Sequence, residues 1–382
     1  MLKHIYLDHA ATTPLDKKVY KAMKPYLKTN YGNPSSIYTL GQINNEAIYK
    51  AREQVAKALN ANTNEIYFTS SGSEANNWAI KGVAYANKHR GNHIITSCIE
   101  HHSVLNACKQ LEQEGFEVTY LPVNKQGKVE PLSLINAITD KTILVSIMTV
   151  NNEIGTIQPI NKLNYIAKTH NIIFHTDAVQ AIGCFSCNVQ ASDVDLLSLS
   201  GHKIYGPKGV GVLYIKKGIP IEPLINGGGQ ENNLRAGTEN VPAIVGLGKA
   251  IELNVMRFRE QYNIKLLRDY FVEQLLLHFP EAIINGLNTS RVVSNVSVTL
   301  PNIEASTVLL ALNEKKICAS AGSACNASSF EPSHVLLAIG LTEEQAFGTI
   351  RFTLGEHNTK KEIDYTIKVL KKIHTKLIKG GY

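Results

Sequence analysis

Short apolar runs alternate along this chain with longer stretches in which apolar residues recur at helical spacing. The stretch "NEAIYKAREQVAKALN" (45–60) sets Ala, Val and Leu on one face and reads as a helix. "EIYFTS" (65–70) follows as a short apolar strand, and "SGSEANNWAIKGVAYANKH" as a second helix with Ser73 placed as its cap. The alternation then repeats. Strands are predicted over 93–97, 117–122, 142–149, 172–176, 194–199 and 210–215, and helices over 103–114, 131–139 and 159–170. This β-α-β-α order implies a mostly parallel sheet covered by helices on both faces. Past about residue 250 the texture changes. One long helical pattern (242–278) leads into the strand segment "RVVSNVSVTL" and the helical segments "ASTVLLALNEKK" and "TKKEIDYTIKVLKKIHTKLI", which together suggest a smaller α+β unit.

Composition narrows the function classes. The 382 residues are 44% hydrophobic and 19% charged, ordinary for a globular protein and long enough for two domains. No apolar run has the length of a membrane span, and the start "MLKHIYLDHAATTP" has no signal-peptide core, so a cytoplasmic protein is expected. The net charge of +7 is scattered, with a lysine cluster near the C-terminus that reads as a solvated helix face. A single Trp and the lack of an Arg-rich tract argue against direct nucleic-acid binding. Six cysteines in a chain this long are not a disulfide scaffold. Cys184 and Cys187 form C-x-x-C without a second ligand pair at zinc spacing, so no metal is expected and the two are assigned to a strand or its edge.

The chemistry gathers where strands end. In open α/β sheets, ligands sit beyond the carboxyl ends of the strands. The predicted exits lead into Ser71-Gly72-Ser73, into Cys98 to His102, into Asn151-Asn152-Glu153, into Asp177 and Gln180, and into Ser200, His202 and Lys203. "TSSGSEANN" offers backbone N–H groups and the Ser73 hydroxyl at a helix start, a phosphate cradle. It lacks the G-K-[ST] ending of a nucleotide-binding loop and the G-x-G-x-x-G of a dinucleotide site. Asp177 would be a carboxylate at the end of a buried strand, which requires a cationic partner. Lys203 and a protonated ring nitrogen are both candidates. A phosphate cradle, an aspartate, the flat ring of His101 and a lysine on a glycine-rich loop make up the inventory for pyridoxal 5′-phosphate (PLP).

The order "YLDHAATTP", "GNPSS", "GSEANN", "EHHSV", "NNEIG", "HTDAVQ", "SGHKIYGPKG", "RAGTEN", "SAGSAC" and "IRFTLG" resembles the NifS/IscS-type cysteine desulfurases, a group with the aspartate-aminotransferase-like fold of PLP-dependent transferases. The resemblance covers nearly the whole chain. It implies an α/β fold with a large PLP-binding domain (13–258) and a small α+β domain (1–12 and 259–382) that carries a mobile cysteine loop. It implies that Lys203 is the Schiff-base lysine, that Asp177 pairs with the pyridinium nitrogen, and that His101 stacks on the ring and moves protons. Gly72, Ser73, Ser200 and His202 correspond to phosphate contacts. Gln180 and Asn152 correspond to contacts with the ring oxygen and substrate. Thr238 corresponds to a phosphate contact delivered from the other subunit of a homodimer. Arg351 corresponds to the residue that grips the substrate carboxylate, a role suited to a guanidinium fork.

Cys325 lies in "CASAGSACNASSFEPSH", a segment rich in Ser, Ala and Gly that reads as a surface loop. The resemblance makes it the persulfide carrier. The implied reaction takes sulfur from L-cysteine, releases L-alanine and loads Cys325, which passes the sulfur to an acceptor protein. Members that serve the iron–sulfur scaffold carry a longer C-terminal tail than "KLIKGGY", so a dedicated acceptor such as a tRNA-thiolation enzyme is the alternative expectation. Other PLP enzymes of the same fold are the competing assignments, an aminotransferase or a selenocysteine lyase. An aminotransferase has no use for Cys325. A carrier protein without catalysis has no use for Lys203, Asp177, His101 and Arg351 together.

Overall fold

The computed structural model describes residues 4–257, 261–321 and 331–378. Its centre is a seven-stranded sheet. In chain order the strands are β1 (Ile66–Thr69), β2 (His93–Ser97), β3 (Glu117–Leu121), β4 (Thr142–Ser146), β5 (Ile173–Asp177), β6 (Leu196–Ser200) and β7 (Gly211–Ile215). Their spatial order is β1-β7-β6-β5-β4-β2-β3. All pairs from β6 to β3 are parallel, and β7 runs against both of its neighbours.

Side chains alternate across a strand. Ile94 therefore joins the core under the helices Gly72–Ala86 and His102–Gln113, while Ile95 joins the core on the other face. That second face is covered by the helices Thr39–Leu59, Ile160–Thr169 and Val241–Arg257. The central strands β2, β4, β5 and β6 are buried along their whole length. This is the reason the sequence shows them as continuous apolar runs.

A second core lies around a four-stranded antiparallel sheet of β8 (Ile283–Ile284), β9 (Asn295–Thr299), β10 (Ser320–Ala321) and β11 (Thr349–Thr353), ordered β10-β11-β9-β8. The helices Gln261–His278, Ala305–Glu314 and Lys360–Ile378 cover it, with Phe271 edge-on to Phe352 at 5.2 Å. Leu7 joins this core, and Ile5–Tyr6 pairs with Ile317–Cys318 in a two-stranded sheet. On β11, Ile350 and Phe352 point into the core, so Arg351 between them points the other way, toward the end of the large sheet.

Three local expectations change. The pattern over 242–278 comprises two helices, Val241–Arg257 and Gln261–His278, with residues 258–260 outside the described residues. The cap of the helix Gly72–Ala86 is Ser71, whose Oγ accepts from Glu74 N at 3.1 Å; Ser73 is already inside the helix. Cys184 and Cys187 lie in the turns between β5 and the short helix Val189–Ser192, not on a strand. Burial pushes both thiols up to about 12, so they are poor nucleophiles.

Candidate active site

The ends of β5 and β6 and the starts of two helices frame a cavity of about 340 Å³. Its walls include Gly72, Ser73, His101, Asn152, Asp177, Gln180, Ser200, His202, Lys203 and Arg351. Ten of the twelve sequence-predicted site residues thus meet in one place. The other two do not. Thr238 is exposed and does not line the cavity in this chain. Cys325 lies outside the described residues.

Lys203 ends a single helical turn, Gly201–Lys203, that leaves β6. Tyr205 then takes a left-handed conformation (φ 61°), and Gly206 N donates back to Gly201 O at 3.0 Å. A Cβ on Gly206 would sit 2.6 Å from that oxygen, so only glycine closes this turn. The result aims the Lys203 amine at the N-terminal segment, where Nζ donates to the carbonyls of Ala10 (2.5 Å) and Ala11 (2.8 Å). Gln180 Nε2 donates to the same Ala10 carbonyl at 2.9 Å.

Asp177 is buried at the last position of β5. Its Oδ1 accepts from Val179 N at 2.9 Å and its Oδ2 from Asn76 Nδ2 at 2.7 Å. His101 caps the helix His102–Gln113 with its ring, Nδ1 accepting from Ser103 N at 3.1 Å. Burial, chiefly, holds His101 below the usual histidine range; the Asp177 charge opposes that shift and the Lys203 charge adds to it. His202 meets Thr12 Oγ1 through Nδ1 at 3.2 Å, and burial followed by the charges of Lys203 and Lys208 pushes it down to about 4. The His202 ring is therefore neutral at pH 7, and His101, whose Nδ1 accepts a backbone N–H, is held in a neutral form by that bond.

Arg351 donates from Nη2 to Asp8 Oδ1 and from Nη1 to Asn152 O, each at 3.0 Å. Asn76, Ser103 and Asp8 are the functional-site residues the pattern did not single out. Asn76 lies one helical turn after Ser73, on the side that faces the sheet ends, and that spacing was the available signal. Ser103 and Asp8 carry no comparable one.

The loop that carries Thr238 is tied to the start of the helix Gly72–Ala86. Arg235 Nε donates to Glu74 Oε1 at 2.9 Å, and Glu74 Oε2 also accepts from Ser70 N at 2.8 Å. Further back, the buried Glu231 carboxylate accepts from Arg52 Nη1 and Nη2 at 2.8 and 2.7 Å and from Phe68 N at 2.9 Å.

Comparison with known proteins agrees with this geometry. Residues 5–366 match the family described as aminotransferase class-V. The chain is 55% identical to the cysteine desulfurase IscS of Methanosarcina thermophila, over 98% of this chain and 93% of that protein. The chain belongs to the NifS/IscS-type cysteine desulfurases. A solved NifS-like protein superposes with a TM-score of 0.92 at 40% identity, covering 98% of this chain and all of the other. SspA, solved in complex with cysteine, gives 0.82 at 40% identity over 93% of this chain and 100% of its own.

The cofactor of this family is PLP, and the residues present fit it. A buried hydroxyl, Ser200 Oγ, has no hydrogen-bond partner among the described residues and lines the cavity. Gly72 opens the helix beside it, where a Cβ would sit 2.6 Å from Val179 Cγ2 and 3.5 Å from Ser200 Cβ. A glycine at a helix N-terminus with a spare hydroxyl suits a phosphate. Asp177 suits a ring N–H, and Lys203 suits the aldehyde. Among the described residues no cluster could hold a metal ion, and no helix is long and apolar enough to cross a membrane.

Proposed function

We propose that the chain is a PLP-dependent cysteine desulfurase that acts on L-cysteine. The observation that carries this reading is the convergence of Lys203, Asp177, His101 and Arg351 on one cavity. Gly72, Ser73, Ser200 and His202 would hold the phosphate, joined by Thr238 from a second copy of the chain. Gln180 and Asn152 would hold the ring oxygen and the substrate, and Asp177 the ring nitrogen. PLP, when bound, supplies an electron sink for the bonds of the substrate α-carbon.

The remaining work falls to the chain. Arg351 grips the substrate carboxylate through its guanidinium fork, with Asp8 and the Asn152 carbonyl fixing its plane. Lys203, once its amine is released, moves the α-proton at Nζ. His101 handles protons at the sulfur end. The Cys325 thiolate forms a bond to the substrate sulfur and the carbon–sulfur bond breaks with its electron pair going to carbon. A proton taken up at that carbon completes L-alanine, and Cys325 is left as the persulfide.

The core around the antiparallel sheet supports the division into a large domain (13–258) and a small one (1–12 and 259–382), which also meet where Val292 joins the large core and where Val335, Leu336, Ile339 and Ala346 pack with Ile99, Met148 and Ile154. A homodimer in the cytoplasm follows from the part assigned to Thr238 and from the family. The acceptor is an iron–sulfur scaffold or a tRNA-thiolation enzyme. The test is alanine release: the PLP-loaded protein should convert L-cysteine to L-alanine and Lys203→Ala should not. A loaded wild type that yields no alanine would overturn the assignment.

A further inference from the structure

Three buried polar groups and the half-buried ring of His101 form one continuous chain beside the cavity. Asp177 Oδ2 is 2.7 Å from Asn76 Nδ2, Asn76 Nδ2 is 2.9 Å from Ser103 Oγ, and Ser103 Oγ is 2.8 Å from His101 Nδ1. Asn76 is 1% exposed and Ser103 9%, so water does not compete for these bonds. The chain spans the strand β5 and both helices that frame the cavity.

Its hydrogens can be assigned from one end to the other. A carboxylate that faces a cationic ring nitrogen is ionised and can only accept hydrogen bonds. The Asn76 group that faces Asp177 is therefore its NH2, and the second hydrogen of that group goes to Ser103 Oγ. The hydroxyl, having accepted there, has one hydrogen of its own to give. That hydrogen goes to His101 Nδ1, which also receives Ser103 N–H at 3.1 Å. A ring nitrogen that accepts two donors carries no proton. The neutral imidazole must then carry it on Nε2.

We propose that Asn76 and Ser103 are positioning residues: Asn76, held by Asp177, orients the Ser103 hydroxyl onto His101 Nδ1 beside the Ser103 N–H, so that His101 meets the cavity contents as an Nε2–H donor. The consequence is directional. His101 offers a hydrogen bond from Nε2, and it can release that proton only as another arrives at Nδ1. It can take one at Nδ1 only after both Ser103 donors turn away. Among the described residues, the charged and titratable groups around the ring include Asp177 from β5, Lys203 from the turn after β6, and His102 and His334, whose rings lie 4.9 Å apart. Of these only Asp177 favours the imidazolium. The inference rests on the desulfurase reading for the chemistry that His101 serves and for the cationic ring that keeps Asp177 ionised.

The test is nitrogen NMR on deuterated, 15N-histidine-labelled PLP holoenzyme, with His101 assigned by its loss in His101→Gln. The wild type should show a protonated, pyrrole-type Nε2 and a bare, pyridine-type Nδ1 on the His101 ring. Ser103→Ala removes one of the two donors to Nδ1. The remaining Ser103 N–H should keep the proton on Nε2, while the pH at which His101 titrates rises by about half a unit to one unit, the worth of one hydrogen bond. Ser103→Thr restores the hydroxyl and should restore the wild-type pattern, which a merely structural defect would not do. Asn76→Ala removes the donor that orients the Ser103 hydroxyl and should raise the titration of His101 by a smaller step. A proton on Nδ1 in the wild type, or an unchanged titration of His101 in Ser103→Ala, would overturn the proposal. If the NMR pattern holds and L-cysteine yields no alanine, the desulfurase reading has failed and the network has not.

Discussion

Replacing Glu231 with alanine should destabilise the large domain more than any nearby surface change. The Glu231 carboxylate is 7% exposed and takes three hydrogen bonds, two from Arg52 and one from Phe68 N on the outer strand β1. It also anchors a backbone in which Glu231, Asn232 and Asn233 all have positive φ, at 45°, 57° and 65°, a run that non-glycine residues adopt only when held. Removing one partner of a buried ion pair costs about 3–5 kcal/mol. The Arg52 side chain is 16% exposed, so water can reach the guanidinium, which favours the lower end, about 3 kcal/mol. The assay is urea unfolding followed by Trp78, the only tryptophan, which packs edge-on to Tyr67 of β1 at 5.7 Å. With a urea slope of about 3 kcal/mol/M, the midpoint should fall by about 1 M. A double variant, Arg52→Met with Glu231→Leu, should regain part of that loss because no charge is left unpaired. A fall of less than roughly 0.3 M in Glu231→Ala would refute the reasoning.

Other expectations follow from single contacts. Gly72→Ala places a Cβ against the stiff Val179 side chain and should weaken PLP binding about tenfold or more, read by titrating apoprotein with PLP; an unchanged affinity would remove Gly72 from the cradle. Burial pushes the Glu100 carboxyl up to about 8 from an ordinary 4.5, so the folded protein binds that proton more tightly than the unfolded chain. Stability should then decline as pH rises from about 5 to 8, and Glu100→Gln should flatten the decline. Glu153, pushed up to about 7 by burial, acts in the same sense and should leave a residual slope in that variant. Arg351→Lys keeps the charge and loses the fork, so kcat/KM for L-cysteine should fall about 10–100-fold, and an unchanged value would remove Arg351 from substrate binding.

The strand exits were legible because each central strand is buried on both faces and ends abruptly in polar residues, as at Asp177 and Ser200. The helix cap was not. Ser70, Ser71 and Ser73 have the same capping chemistry, and only the extended backbone at Ser71 (φ −171°, ψ 167°) selects it. The divide within 242–278 was invisible because apolar spacing reports a helical face and not where its axis ends. The hydrogen-bonded partners were invisible for a different reason. Asn76 meets Asp177 across 101 positions of chain, and Arg351 meets Asp8 across 343. Such pairs are made by topology, and no local pattern encodes them. Motif order compensated in part, since it brought Arg351 and Lys203 into one proposed site before any fold was known.

The central claim is that sulfur leaves L-cysteine and arrives on Cys325. The most direct measurement is an intact-mass spectrum of PLP-loaded protein after brief exposure to L-cysteine without reductant, beside Cys325→Ser treated alike. The account predicts one added sulfur atom on the wild type and none on the variant. Loaded wild type that gains no sulfur, or a Cys325→Ser variant that gains as much, would contradict it.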